Sequence, residues 1–173
     1  LFSFDGSRSV PMLTETLQFA QKMKSEGKPL HFTYFISGVY FLTPTSAEAY
    51  IAPRHSPGTS AIGFGYSNVD IDERVRKFNE ALGEGHEIGS HAVGHYDGHE
   101  WSYEEWKHEF AVFNALLTNI VKNNAGGPAI TTPLFGEATV RGFRAPSLKV
   151  NNNLYTVLRD LHFTYDASGA EYR

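Results

Sequence analysis

Short apolar segments alternate with amphipathic stretches along most of the sequence, and this alternation restricts the fold more than any other feature. An apolar run over residues 1–4 ends at Asp5 and predicts a buried strand that delivers its last side chain to a loop. Apolar residues then recur every three to four positions over residues 11–26, and Gly27 follows as a stop, which predicts a helix. Residues 31–36 are rich in β-branched and aromatic side chains and predict a second strand. Strand, helix and strand in this order are typical of a parallel crossover unit.

The alternation continues through the second half of the chain. We predict helices over residues 70–82, 102–119 and 151–160, and strands over residues 86–91, 139–143 and 163–165. Ser102 with Glu105 predicts a capping box at the start of the middle helix. A chain of 173 residues has the size of one domain. We therefore expect a single α/β domain over residues 1–173, with a loop-rich insertion at about residues 43–69, where Pro and Gly interrupt the pattern.

Charge and composition exclude several classes of partner. The 15 Lys and Arg residues are outnumbered by 19 Asp and Glu residues, so there is no excess of positive charge to neutralise nucleic acid or anionic lipid. The most apolar stretch, residues 32–42, is well short of the roughly 20 residues that a membrane-spanning helix needs. We expect neither a nucleic acid partner nor a membrane span. Because the chain has no Cys, any metal site must use His, Asp and Glu.

A cluster of histidines is the strongest chemical signal. Five of the eight histidines fall within residues 86–108, and the spacing of His91 and His95 allows both imidazoles to bind one divalent ion. Such a pair is also common on solvated helices, but this one lies in a turn that contains Gly94, where loops usually carry function. The expected third ligand is a carboxylate, and Asp5 at the end of the first strand is the candidate.

Two further groups of charged residues have more than one interpretation. Arg141 and Arg144 lie at a predicted strand end, where one guanidinium could enter a site and the other could stay in the scaffold; a surface ion pair is the common explanation for such residues. Four glutamates on or near the helix at 102–119 are interpreted as a solvated acidic face: Glu100, Glu104, Glu105 and Glu109.

Three segments carry the most specific pattern: Phe4-Asp5-Gly6, Gly85-His86-Glu87-Ile88-Gly89-Ser90-His91-Ala92-Val93-Gly94-His95 and Arg141-Gly142-Phe143-Arg144-Ala145-Pro146. In this order they resemble the motifs of the polysaccharide deacetylases of carbohydrate esterase family 4, the NodB-homology domain. The resemblance covers most of the chain apart from residues 43–69. It implies a distorted (β/α) barrel with its site at the carboxyl ends of the strands.

The resemblance also implies a chemistry. The family members are metal-dependent hydrolases that remove N-acetyl groups from an amino-sugar polymer such as peptidoglycan or chitin, by attack of a metal-bound water. The implied ion is Zn²⁺ or another divalent transition metal, with Asp5, His91 and His95 as its ligands. Arg144 matches the family arginine that keeps a catalytic carboxylate ionised. The backbone amide of Ser147 matches a donor to the oxyanion of the transition state.

Aromatic residues near the second motif are candidates for sugar binding. Tyr96 and Trp101 could stack on a sugar ring, whereas Trp106 follows the apolar stripe of its helix and is expected in the core. The resemblance implies an N-acetylated glycan as partner. It also implies a secreted or periplasmic location, although no signal peptide is present in this chain.

Two departures from the family pattern leave alternatives open. The family has two adjacent aspartates, a general base and a metal ligand, but here Gly6 follows Asp5. Asp5 is then either the base, which leaves the metal two histidines, or the ligand, which leaves the base missing. We favour the ligand, because a zinc site with two histidines would be poorly closed. A later aspartate motif and a histidine general acid have no counterpart before Arg173, so we expect a fragment that is incomplete at the C-terminus and lacks the closing strands of the barrel.

Two other functions remain as alternatives. The missing second aspartate favours a non-catalytic glycan-binding module of the NodB type, which would bind metal or sugar without turnover. An allantoinase-like hydrolase of a small amide is the second alternative. Since the metal-free branch of the superfamily does not need the histidine pair, the presence of both His91 and His95 argues against it.

Overall fold

A computed structural model describes residues 2–169 and has an α/β fold with one parallel sheet. The sheet contains β1 (Phe2–Gly6), β2 (Phe32–Ile36), β3 (Glu87–Ser90), β4 (Gly142–Phe143) and β5 (Tyr165–Asp166). The strands are hydrogen-bonded in chain order, and each is parallel to the next. The predicted parallel α/β architecture is therefore confirmed. Because all strands point the same way, their carboxyl ends lie on the same side of the sheet.

The main helices agree with the predicted ranges to within two residues. They are α1 (Val10–Ser25), α2 (Asn68–Gly83), α3 (Tyr103–Thr118) and α5 (Asn152–Asp160), and a short α4 (Ile120–Asn123) follows α3. Each main helix begins at a side chain that accepts a hydrogen bond from a backbone N–H of the first turn: Ser9, Ser67, Ser102 and Asn151. The capping box of Ser102 and Glu105 is confirmed. Within residues 2–169 none of the helices has the length and apolar character needed to cross a bilayer.

Closure into a barrel is not confirmed. Over residues 2–169 the sheet has two edges, β1 and β5. The strand predicted at residues 139–143 is shortened to Gly142–Phe143, because a turn in which Val140 N–H donates to Gly136 O (2.8 Å) occupies the residues before it. The last strand lies at residues 165–166 instead of 163–165.

The insertion at residues 43–69 is packed against the rest of the fold. Tyr50 is fully buried, and Gly65 N–H donates to Leu42 O at 2.8 Å. A Cβ on Gly65 would lie 2.8 Å from Tyr40 O, so only a glycine allows this approach of the two backbones. Arg54 donates to the carboxylate of Glu105 on α3. The insertion therefore reaches α3 as well as the residues that follow β2.

The interpretation of Glu109 as part of a solvated face is wrong. Glu109 is fully buried, whereas Glu100 and Glu104 are exposed. Its carboxylate accepts hydrogen bonds from Tyr50 Oη (3.1 Å to each oxygen) and from Val93 N–H (2.9 Å). Burial raises the pKa of the Glu109 carboxyl to about 6, and these hydrogen bonds oppose the shift.

We predict that the stability difference between wild type and Glu109→Gln depends on pH. The folded protein binds the Glu109 proton more tightly than the unfolded chain does, since the pKa is raised from 4.5 to about 6. The stability that the Glu109 carboxyl contributes is fully present below pH 4.5 and is lost as the pH rises through about 6. Relative to Glu109→Gln, the free energy of unfolding of wild type should fall by about 2 kcal/mol as the pH rises through these two pKa values.

Urea unfolding at a series of pH values measures this difference. Glu104→Gln, which removes an exposed carboxylate from the first turn of the same helix, is the control. A difference between wild type and Glu109→Gln that stays constant from pH 4 to pH 7 would contradict the raised pKa.

Candidate functional site

The three motif segments meet at the carboxyl ends of their strands. Asp5 lies in β1, His91 follows β3 and Arg144 follows β4. The hydrogen bonding between the strands continues beyond these ends: His91 N–H donates to Ile36 O at 2.8 Å, and Arg144 N–H donates to Ser90 O at 3.0 Å. The register of the sheet thus brings together residues that are far apart in the sequence.

An ion pair between Asp5 and Arg144 joins the first and third motifs. Arg144 Nη1 donates to Asp5 Oδ1 at 2.7 Å, and the side chain of Asp5 is 45% exposed while that of Arg144 is 18% exposed. Two further contacts hold the guanidinium: Nε donates to Ala167 O at 3.1 Å, and the group lies over the ring of Phe35 at 4.5 Å from the centroid. Arg144 is therefore held on several sides, and it orients the carboxylate of Asp5.

His91 has the protonation state that a metal ligand needs. Its ring is buried, and Nδ1 donates to Arg144 O at 2.7 Å, since a carbonyl can only accept. This leaves the lone pair of Nε2 free. Burial lowers the pKa of His91, and the hydrogen bond to Arg144 O opposes the shift. The neutral imidazole is the form that binds transition metals.

His95 lies next to His91, as the spacing of the motif predicts. The centroids of the two rings are 4.9 Å apart and their planes are inclined by 71°. The segment between them is an irregular loop and not a helical turn, because Ala92 has φ 57° and His95 has φ 60°. Gly94 is required in this loop, since a Cβ there would lie 2.5 Å from the ring of Tyr50.

Left-handed backbone conformations concentrate in the motif loops. Among residues 2–169, seven non-glycine residues have a positive φ. Two of them, Ala92 and His95, lie in the second motif segment, and three more follow a motif segment within two residues: Ser7, Ser147 and Leu148. Such conformations are uncommon for L-residues and cluster at functional sites. Ser147 is exposed in this conformation, and its role as an oxyanion donor stays a prediction.

The structure assembles two of the three predicted metal ligands. Over residues 2–169, no group of three or more His, Asp or Glu side chains is arranged to hold a metal ion. Asp5 instead directs one carboxylate oxygen to Arg144. This pairing favours the alternative in which Asp5 is the base. The two imidazoles fit a divalent transition metal by their donor chemistry and their proximity, and they form an incomplete set.

The two aromatic candidates for sugar binding differ. Trp101 is only 3% exposed and packs edge to face on Trp106 at 4.8 Å. The structure therefore contradicts a sugar-stacking role for Trp101, because core residues cover its ring. Trp106 is in the core, as expected. Tyr96 is partly exposed, and His55 of the insertion stacks on its ring at 3.7 Å; its role as a sugar contact stays a prediction.

The other histidines of the cluster make local contacts away from this pair. His86 precedes β3, at the opposite end of the strand, where its Nδ1 accepts from Phe32 N–H. His99 and His108 contact the carbonyl oxygens of Val150 (2.9 Å) and Ile51 (3.0 Å). The density of histidines in the sequence therefore overstates the number that face the candidate site.

Comparisons with known proteins identify the fold. No family model matches the chain, and no curated protein matches it. Among solved structures, a family 4 carbohydrate esterase from Streptomyces lividans in complex with acetate has a TM-score of 0.53 and 16% identity. The match covers 95% of this chain and 59% of that one, so the chain spans less than two thirds of that esterase.

Two further structures show the same likeness. The chitin deacetylase of the fungal pathogen Colletotrichum lindemuthianum has a TM-score of 0.53 and 14% identity, over 95% of this chain and 53% of that one. A family 4 pseudoenzyme from Bacillus anthracis has a TM-score of 0.56 and 13% identity, over 95% of this chain and 41% of that one. At these identities the likeness establishes the fold alone: this chain has the fold of family 4 carbohydrate esterases.

We predict that Gly94→Ala destabilises the protein. The new methyl group would meet the ring of Tyr50, which is fully buried and cannot move aside, so the cost should be about 1–3 kcal/mol. Gly83→Ala at the end of α2 is the matched control, because no atom lies within 4 Å of its Cβ position; it should be neutral or slightly stabilising. Urea unfolding compares the two variants. Equal effects would contradict the close packing of Gly94 on Tyr50.

Proposed function

We propose that this chain carries the catalytic core of a metal-dependent hydrolase that removes N-acetyl groups from an amino-sugar polymer. One observation carries the proposal: Arg144 pairs with Asp5 through its side chain and holds His91 through its carbonyl oxygen, next to His95. The fold supports it, because the Streptomyces lividans structure with this fold is in complex with acetate and the Colletotrichum enzyme is a chitin deacetylase. Acetate is the product that such a reaction would release.

The residues divide the chemistry among them. His91 and His95 would hold a divalent transition metal such as Zn²⁺, which supplies Lewis acidity toward the acetamide oxygen and the attacking water. Asp5 would take the proton of that water, and Arg144 would orient the Asp5 carboxylate for this task through their ion pair. The backbone amide of Ser147 would donate to the developing oxyanion. The proton taken by Asp5 would pass to the leaving nitrogen, so the products are acetate and the free amine.

The proposed substrate sets the proposed location. Peptidoglycan and chitin-like glycans are polymers of cell walls, so we place the protein in the secreted or periplasmic fraction. The exposed Asp5 side chain is consistent with a site that admits a polymer. Tyr96, which is partly exposed beside His95, is the proposed sugar contact.

A non-catalytic glycan-binding module is the second candidate. It is favoured by a specific observation: among residues 2–169, two imidazoles converge without a third side chain to complete a metal site. The Bacillus anthracis structure with this fold is described as a pseudoenzyme. The convergence of both imidazoles disfavours a metal-free hydrolase of a small amide.

We predict that the protein, loaded with Zn²⁺ or Co²⁺, releases acetate from N-acetylglucosamine oligomers and that a chelator abolishes the release. Asp5→Asn should lower kcat by about 10²–10⁴-fold, the usual contribution of a general base. Asp160→Asn on α5, whose carboxylate contacts Arg159 and Tyr103, is the control and should leave the rate unchanged. Coupled enzymatic detection of acetate measures all of these rates.

The outcomes separate the candidates. Glycan binding by the metal-loaded protein without acetate release would support the binding module. Release that resists the chelator would refute the role of the metal. A kcat for Asp5→Asn equal to that of wild type would refute Asp5 as the base.

A further inference from the structure

The carbonyl oxygens of the loop between His91 and His95 accept three hydrogen bonds from two other parts of the chain. Gly38 N–H donates to Ala92 O (3.1 Å), Val39 N–H donates to Val93 O (3.2 Å) and Ala61 N–H donates to Gly94 O (2.9 Å). These contacts pair carbonyl oxygens of the loop, and the N–H groups of the loop need acceptors of their own. A buried amide without an acceptor is costly, so the partner of these amides matters for the conformation of the loop.

Ser90 Oγ accepts from Ala92 N–H at 3.3 Å, and Glu109 on α3 is the partner of the next two amides. Its Oε1 accepts from Val93 N–H at 2.9 Å and, at the longer distance of 3.4 Å, from Gly94 N–H. Tyr50 Oη donates to both carboxylate oxygens at 3.1 Å, and its ring is the surface on which Gly94 packs. The carboxylate therefore sits between the loop and the insertion, with every one of these hydrogen bonds directed at it.

The burial of Glu109 has no explanation as an ion pair. Across the part of the chain that the structure describes, no salt bridge is formed with its carboxylate. A fully buried carboxylate is costly unless hydrogen bonds compensate it. Here the compensating donors are the amides of Val93 and Gly94 and the hydroxyl of Tyr50. The carboxylate is thus matched to the amides of the histidine loop and to the hydroxyl of Tyr50.

We infer that Glu109 is a positioning residue that sets the geometry of the two imidazoles through the backbone between them. Ala92 and His95, on either side of Val93 and Gly94, have positive φ values, and such a conformation persists only where surrounding contacts determine it. Without the acceptor, the Val93 and Gly94 amides between these two residues lose their partner, and the hydrogen bonds to the loop carbonyls alone remain to hold the left-handed conformation. The separation of the His91 and His95 rings then relaxes. The consequence for metal binding rests on the proposed function.

The test uses the full chain with Glu109→Ala and Glu109→Gln. Glu109→Ala should weaken Co²⁺ binding by about 10–100-fold, as loss of a group that supports metal ligands typically does, and should speed hydrogen exchange at the Val93 and Gly94 amides. Glu109→Gln should stay within a few-fold of wild type in both, because its amide oxygen can accept from Val93 and its amide nitrogen can donate to Tyr50 Oη. Co²⁺ titration by visible absorption and exchange followed by NMR give the two readouts.

A matched control separates positioning from general stability. Val75→Ala removes apolar volume from the core on α2 and lowers stability without removing an acceptor of the loop. It should keep the wild-type Co²⁺ affinity and the slow exchange at Val93 and Gly94. If Val75→Ala matches Glu109→Ala in both readouts, or if Glu109→Ala behaves as wild type, the inference is overturned.

Two further outcomes remain decisive. Should Glu109→Ala fail to fold, Glu109→Asp keeps the charge and withdraws the acceptor by one methylene group, and it should show the same two effects to a smaller degree. Wild-type behaviour of Glu109→Asp would overturn the inference. Should wild type bind no Co²⁺, the proposed metal-dependent function fails, while the exchange rates still decide whether Glu109 holds the loop.

Discussion

The candidate site depends on one constraint, which is the parallel register of neighbouring strands. The pairing of β2 with β3 sets Ile36 O opposite His91 N–H, and the pairing of β3 with β4 sets Ser90 O opposite Arg144 N–H. A shift by one residue would turn each side chain to the other face of the sheet. Asp5 would then lose Arg144, and His91 would lose the carbonyl that orients its ring. The register of the sheet therefore brings Asp5, His91 and Arg144 together, and the loop after β3 places His95 beside them.

Charge balance explains why the single carboxylate of the first motif matters. Asp5 and Arg144 compensate each other at 2.7 Å, and burial lowers the pKa of His91, which favours its neutral form. An imidazole binds a metal ion through a nitrogen lone pair and brings no negative charge to it, so a divalent ion held by His91 and His95 would depend on a carboxylate that already pairs with a guanidinium. A second aspartate at Gly6 would supply the missing negative charge. The hydrolase requires that two imidazoles and a carboxylate paired with Arg144 suffice to hold and activate the metal, whereas the binding module does not require this.

Short-range patterns predicted much of the fold, and long-range contacts account for the misses. Helix periodicity predicts the four main helices within two residues, because the residues that form this pattern lie close together in the sequence. A capping box was predicted for α3 alone. The ion pair of Asp5 with Arg144 joins residues 139 positions apart, and only the resemblance suggested it. Glu109 was misinterpreted because exposed glutamates precede it. Its place three residues after Trp106 and four before Phe113 puts it on the apolar stripe of α3, and this signal was present in the sequence.

The buried carboxylate of Glu109 also ties the site to the stability of the fold. In the interior of a helix, such amides would donate to the carbonyl oxygens four residues earlier, and no side chain would be needed to receive them. The left-handed Ala92 turns the amides of Val93 and Gly94 inward instead. This arrangement requires an acceptor on the element beneath, and α3 supplies it. Whatever loosens α3 or its contact with Tyr50 must therefore loosen the histidine loop as well. The conformation of the site and the integrity of one helix are coupled through a single side chain.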